Sequence, residues 1–254
     1  MTLSNTQLAQ MASDGYLLLP ALFDADEVEL LRAAVPEVIV RRGPEVIGED
    51  DDASMVRMIF AAHAFNETFR RLTLHPRLIS RVEQLFGEPA YLFQSRFNVK
   101  SSFHSAGWAW HQDFNQWHRL DGMQTPNAMA LGVFLDDVNP CNGPVMVIPG
   151  SHKRGHIFNP DGMEIPDADV AAAANDLGII PLMGPPGSVA LFHSLIIHGS
   201  APNVSPWPRR IFYMNLSPIS NRSLSPKREW FHCDPDGPAL VPLSDDCLRQ
   251  KVPA

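Results

Sequence analysis

Hydrophobic and polar positions divide the chain near residue 90. Before that point the apolar residues are spaced mainly as in helices. Residues 6–12 predict a short helix that stops near Asp14-Gly15, and Tyr16-Leu17-Leu18-Leu19-Pro20 reads as a short buried strand. Val28, Leu31 and Val35 form one apolar stripe. Asp24 and Glu27 ahead of it make a capping box, in which Asp24 accepts from the N3 amide and Glu27 reaches back. Pro36 predicts a kink or a stop in that helix. Residues 55–60 read as a strand. Residues 66–72 and 76–86 read as helices, the second ended by Gly87.

After residue 90 the texture changes. Residues 91–100, 128–136, 145–149, 188–193 and 210–216 are short apolar or alternating runs, separated by Gly, Pro and Asn. Short strands punctuated in this way predict an all-β core. The expected architecture is a double-stranded β-helix, or jelly roll, with N-terminal and flanking α-helices. It is expected as a single domain over residues 1–254: 1–89 mostly helical support, 90–218 the jelly-roll core and 219–254 a C-terminal tail. The Ala- and Asp-rich stretch 159–178 predicts a short helix over one mouth of the barrel.

Composition narrows the function. With 254 residues, 45% of them apolar, the chain can bury a sizeable core. A net charge of −8 argues against a nucleic-acid backbone as the partner. Glu49-Asp50-Asp51-Asp52 reads as a solvated loop, with a metal site as the alternative. Cys141, Cys233 and Cys247 are odd in number and contain no Cys-x-x-Cys pair, which suits reduced thiols. No run approaches the roughly 20 apolar residues of a membrane helix. The expectation is a cytoplasmic protein whose partner is a small molecule, with no nucleic acid and no membrane.

The candidate chemistry lies in three places. His111-Gln112-Asp113 places two ligand types at i and i+2, which share one side of an extended segment. His198 closes the apolar run 189–197, and Arg209 follows eleven residues later. Two histidines and one carboxylate can hold one face of an octahedral Fe(II) and leave three positions open. A 2-oxo acid fills two of these and O2 the third, and a guanidinium at 209 can fork onto the far carboxylate. His193 competes with His198 as the distal ligand, since a lone histidine in an apolar run is by default a core residue. Arg210 stands next to Arg209 as the alternative cation. On the strand 93–100 the even positions Gln94, Arg96 and Asn98 should point inward together. Arg96 or Lys100 could hold a substrate carboxylate, and Trp117 could offer an aromatic face to an ammonium.

Several motifs carry a resemblance. Asn142-Gly143-Pro144, Ile148-Pro149-Gly150-Ser151-His152, Pro186-Gly187-Ser188-Val189, the His-x-Asp, His198-Gly199-Ser200 and Arg209 resemble the phytanoyl-CoA dioxygenase superfamily of Fe(II)/2-oxoglutarate oxygenases. The likeness is sharpest to its bacterial members acting on free proline, leucine and ectoine, and it runs along nearly the whole chain. The resemblance implies Fe(II) on His111, Asp113 and His198, with 2-oxoglutarate and O2 as cosubstrates. It places the distal carboxylate of 2-oxoglutarate on Arg209 and Ser200 with Asn98 nearby. In the ectoine branch, residues matching Gln94, Trp117 and Phe192 line the substrate pocket. A carboxylate at 113, where related halogenases carry Gly or Ala, implies hydroxylation.

The chain departs from the ectoine branch at Ser105, Gly107, Trp108 and Ala109, and Tyr213 stands where that branch has Phe. The stretch around Trp108–Phe114 is closer to the leucine and proline hydroxylases, although the segment between Ser151-His152 and Pro186-Gly187 looks shorter. Gly143 and Gly150 are expected to supply turns, and His152 to be a structural hydrogen-bonder. The implied activity is hydroxylation of an unactivated C–H bond in a small zwitterion, a free amino acid such as proline or leucine first. Ectoine, a betaine, an aminophosphonate or a natural-product intermediate follows. Other classes are a zinc hydrolase, which would not require Arg209, a nucleic-acid demethylase, and a non-catalytic jelly-roll binding protein.

Overall fold

The computed structural model describes residues 2–49, 52–103, 105–159 and 162–250. Its elements in chain order are α1 (Asn5–Asp14), β1 (Tyr16–Leu19), α2 (Ala25–Ile39), β2 (Val46–Gly48), β3 (Val56–Phe60), α3 (Ala62–Phe65), α4 (Glu67–Thr73) and α5 (Pro76–Phe86). There follow β4 (Ala90–Lys100), β5 (Trp108–His111), α6 (Asp113–Asp121), β6 (Met129–Phe134), β7 (Val145–Val147), α7 (Asp167–Leu177), β8 (Ile180–Leu182), β9 (Val189–His193), β10 (His198–Ser200) and β11 (Arg209–Pro218).

Two antiparallel sheets form the core. The larger has the order β1-β9-β6-β11-β4-β3-β2 and the smaller β5-β10-β7-β8. Strand alternation sorts the large sheet into two buried faces. Leu131, Val133, Phe212, Met214, Phe97 and Val99 join the helical layer, where Val28, Leu31, Phe69, Leu72 and Leu78 are buried. Ala130, Phe134, Ile211, Tyr213, Ala190 and Phe192 face the other way and meet Val145, Val147 and Leu182 of the small sheet. Strands buried on both faces read as continuous apolar runs, which is how β6 reads in the sequence.

The helical half follows local chemistry. Ser4 caps α1 by accepting from the Gln7 amide, and Gly15 ends it in the left-handed region at φ 76°. The capping box of α2 is present: Asp24 accepts from Glu27 N, and Glu27 accepts from Asp24 N. Pro36, expected to kink or stop α2, does not stop it at its own position, since the helix runs on to Ile39. Proline there removes one amide near the last turn, and its carbonyl still accepts from Val40 N.

A second correction concerns Glu49, expected in a solvated loop. It is 3% exposed, accepts from Ser105 Oγ at 2.6 Å and pairs with Arg57. Asp50 and Asp51 lie outside the described residues. The three cysteines are free thiols, Cys141 exposed and the other two buried. Among the described residues no helix is long and apolar enough to cross a membrane.

Candidate metal centre and its cavity

The site forms between the sheets. His111 closes β5 and His198 opens β10, and the two are register partners. Asp113 does not continue the strand as expected. It is the first residue of α6, with only Gln112 between extended (φ −111°, ψ 126°). One extended residue suffices to put 111 and 113 on one side. The Gln112 side chain turns away, donating to Gly155 O and Leu195 O and accepting from Ile157 N. These bonds fix the corner that joins strand to helix.

One donor atom from each of His111, Asp113 and His198 lies within 4.8 Å of the others. His111 Nε2 is 3.7 Å from Asp113 Oδ1, and His198 Nε2 is 3.9 Å from Asp113 Oδ2. The Nδ1 of each imidazole meets a backbone carbonyl, Ala109 O at 2.7 Å and Ile196 O at 3.1 Å. A carbonyl can only accept, so Nδ1 carries the proton and Nε2 presents its lone pair to the centre. Burial, then the neighbouring His111, push the His198 imidazolium down to about 3, so His198 is neutral near pH 7. Burial works against the Asp113 carboxylate, yet Arg96, His198 and His111 together outweigh it and hold the group below its usual range. Asp113 Oδ2 is buried with no hydrogen-bond partner among the described residues. Two imidazole Nε2 atoms and an under-bonded carboxylate fit a divalent cation of the iron type.

These groups open on a cavity of about 310 Å³. Arg209 and Ser200 are on its wall, as are Asn98, Arg96, Phe192 and Tyr213. Arg209 is 1% exposed. Its Nε and Nη2 donate to Gly143 O at 3.2 and 2.7 Å, while Nη1 has no partner among the described residues. Gly143 is obligatory here: it sits at φ 75°, and a Cβ would lie 2.6 Å from Ala201 O. Ser200 Oγ and Asn98 Oδ1 are likewise buried and unpartnered among the described residues. A buried cation lacking an anion, beside idle polar groups, is costly unless a ligand completes it. The Phe192 ring lies 4.8 Å from that of His198.

The competing residues separate cleanly. His193 Nδ1 accepts from Leu195 N, and its ring packs on His152, away from the three donors. Arg210 points to the other side and forks onto Asp136 at 2.7 and 2.6 Å. His152 packs over Gly15, where a Cβ would be 2.3 Å from its Nδ1.

Three expectations about the substrate end need correction. Gln94 does not join Arg96 and Asn98 on the cavity wall. It lies on their face of β4, in register with Asn215, because the bulge at Phe93 falls before it. Gln94, next to this bulge, donates to His232 O and accepts from Asn215 Nδ2 and Arg96 Nη1. Trp117 is fully buried and packs edge-on against Phe93, at 4.8 Å, within a separate apolar cluster. One helical step earlier, Gln116 is on the wall instead. Lys100 is 2% exposed and donates to Ala106 O at 2.6 Å, away from the wall. Desolvation, then Arg209, push its ammonium down to about 7.

The wall also holds residues not singled out in the sequence: Met58 and Phe60 of β3, Met163, and Arg228 and His232 of the tail. Period-two spacing could have flagged Met58 with Phe60. The tail has no period to read. Met163 is placed by the segment after residue 162, which zips onto β5 through the His111–Glu164 bridge and Ile165 N to Trp110 O.

The phytanoyl-CoA dioxygenase (PhyH) family model matches residues 11–211. The L-proline trans-4-hydroxylase of Streptomyces griseoviridis is 34% identical, covering 92% of this chain and 94% of that protein. The ectoine dioxygenase of Sphingopyxis alaskensis is 32% identical, covering 99% and 90%. Crystal structures of EctD from S. alaskensis superpose over 95% of this chain and 87% of theirs. The form with 2-oxoglutarate and 5-hydroxyectoine gives a TM-score of 0.89 at 34% identity. The form with bound Fe gives 0.85 at 33%.

Proposed function

The chain belongs to the phytanoyl-CoA dioxygenase family, and from that premise we propose that it is an Fe(II)/2-oxoglutarate-dependent hydroxylase of a small zwitterionic metabolite, with a free amino acid such as proline as the first candidate. The observation that carries this reading is the convergence of His111, Asp113 and His198 in one cavity with the unpaired guanidinium edge of Arg209. A hydrolytic zinc site would need the three donors but not the buried cation.

In this reading His111, Asp113 and His198 hold the iron. Arg209 takes the far carboxylate of 2-oxoglutarate, helped by Ser200 and Asn98. Bound there, iron and the 2-oxo acid would supply an O2-derived oxidant able to attack an unactivated C–H bond, with succinate and CO2 as by-products. The protein's task is to aim one C–H bond at that oxidant and to exclude water. Met58, Phe60, Val145 and Phe192 give apolar walls for an aliphatic body. Arg96 suits a substrate carboxylate. Its Nη1 donates to Gln94, its Nη2 is 3.6 Å from Asp113 Oδ1, and its Nε is buried without a partner among the described residues. A carboxylate held on Arg96 would place the neighbouring carbons beside the metal.

Ectoine is the second candidate, because EctD, 34% identical, is a solved relative. Of the positions that the resemblance assigns to an ectoine pocket, only Phe192 is on the cavity wall, which favours the amino-acid reading. The facing sheets we read as a jelly roll of one domain, with the helices of residues 1–89 as support. A screen of the twenty amino acids, ectoine, betaines and aminophosphonates for substrate-stimulated succinate release tests the proposal, with mass spectrometry for one added oxygen. The expected hit carries a carboxylate, and Arg96→Ala weakens its binding at least tenfold. A best substrate without an anionic group, or an Arg96→Ala protein of unchanged affinity, contradicts the amino-acid reading.

A further inference from the structure

Tyr213 stands where the ectoine branch is expected to carry Phe, so its hydroxyl is a group the family reading leaves without a role. Its ring is held from two neighbouring strands. Gly132 is its register partner on β6, and a Cβ there would be 2.8 Å from Tyr213 Cε1. Arg96 is its partner on β4, with the guanidinium carbon 5.1 Å from the ring centroid. The residue is 4% exposed yet forms part of the cavity wall. No hydrogen bond to its hydroxyl is formed among the described residues. The hydroxyl is not sealed in the core but opens on the cavity, where a ligand atom can take the bond that no described residue supplies.

Arg209 lies four residues earlier on β11, and in a strand positions i and i+4 share a face. Its Nη1 is the other idle donor on that face. Burial raises the Tyr213 pKa, and Arg209 is the strongest charge acting the other way. The phenol therefore stays protonated and can donate. A neutral donor adds grip on an anion without burying a second charge.

We propose that the Tyr213 hydroxyl is a donor to the far carboxylate of the 2-oxo acid, completing with Arg209 Nη1 a two-point grip on its two oxygens. The assignment rests on the cosubstrate reading above. The test is Tyr213→Phe, which removes one oxygen and keeps the ring. 2-Oxoglutarate and 2-oxopentanoate, which lacks the far carboxylate, are each titrated into the Mn(II)-loaded protein without oxygen. The expected result is about tenfold weaker binding of 2-oxoglutarate and unchanged binding of 2-oxopentanoate, as for loss of one hydrogen bond to a charged group. Equal weakening of both acids, or no change in either, overturns the assignment. So does weakening of the primary substrate alone. A wild-type protein that binds neither acid overturns the cosubstrate reading itself, and this assignment with it.

Discussion

His193 and His198 are five residues apart in one apolar run, and their surroundings give them opposite roles. Both are desolvated, and burial, the larger cause in each, pushes both imidazoliums down, to about 4 and about 3. The ring nitrogens make the difference. His193 spends its Nδ1 lone pair on Leu195 N, whereas His198 spends its Nδ1 proton on Ile196 O and keeps Nε2 free. His198→Ala should therefore weaken Fe(II) or Mn(II) binding by more than the roughly 10–100-fold that loss of an outer partner causes. His193→Ala should leave metal affinity within about threefold. Equilibrium dialysis of the two variants decides it, and the reverse order of effects would move the third ligand to His193. Sequence position could not separate these residues, because each terminates an apolar segment. The Gly-Ser after His198 was the visible cue, and it corresponds to β10, whose Ser200 reaches the cavity.

The elements that hold the site were unevenly legible. Long runs such as β4, β6 and β11, and the helices with caps, followed from apolar period and end chemistry. β5 and β10 were not legible, since four and three residues are too few to show alternation. The bulge at Phe93 was also invisible. It depends on how β4 pairs with β11; beyond it Gln94 keeps the face of Arg96 and Asn98 but spends its amide on His232 O and Asn215 Nδ2, off the wall. Trp117 was placed in the pocket by resemblance, and in α6, which begins at Asp113, its side chain turns into an apolar cluster instead. Helical spacing, not strand alternation, then decides which later residues reach the cavity. At this scale Gly132 is the sensitive point of the large sheet. An added Cβ would meet Tyr213 Cε1 at 2.8 Å and Ile211 Cγ2 at 2.9 Å, with buried β-strands on both sides. Gly132→Ala should cost about 1–3 kcal/mol by overpacking. By displacing the Tyr213 ring it should also weaken 2-oxoglutarate binding. Urea midpoints and anaerobic titration measure the two effects; a variant of unchanged stability would mean that the ring yields freely.

Across the whole molecule, parts distant in sequence close one cavity. β3 contributes Met58 and Phe60 from the helical half, the small sheet contributes two metal-type ligands, and the tail contributes Arg228 and His232. The tail is anchored rather than loose: Arg228 forks onto the fully buried Asp121 of α6, and Phe231 and His232 pack on Phe60. Composition and charge argued against a nucleic-acid partner and suggested a core, but they could not indicate that the tail is part of the site. That depends on long-range packing of irregular chain. What the sequence did carry was the chemistry, because His-x-Asp, a distal histidine and an arginine on the next strand are fixed by the demands of a metal and a diacid. The measurement that tests this account most directly is turnover of the best substrate under 18O2 in ordinary water, with succinate and product quantified together. The account predicts one 18O atom in the hydroxylated product and one succinate per product, both lost on removal of iron. Product oxygen drawn from water, or product formed without 2-oxoglutarate, would contradict it.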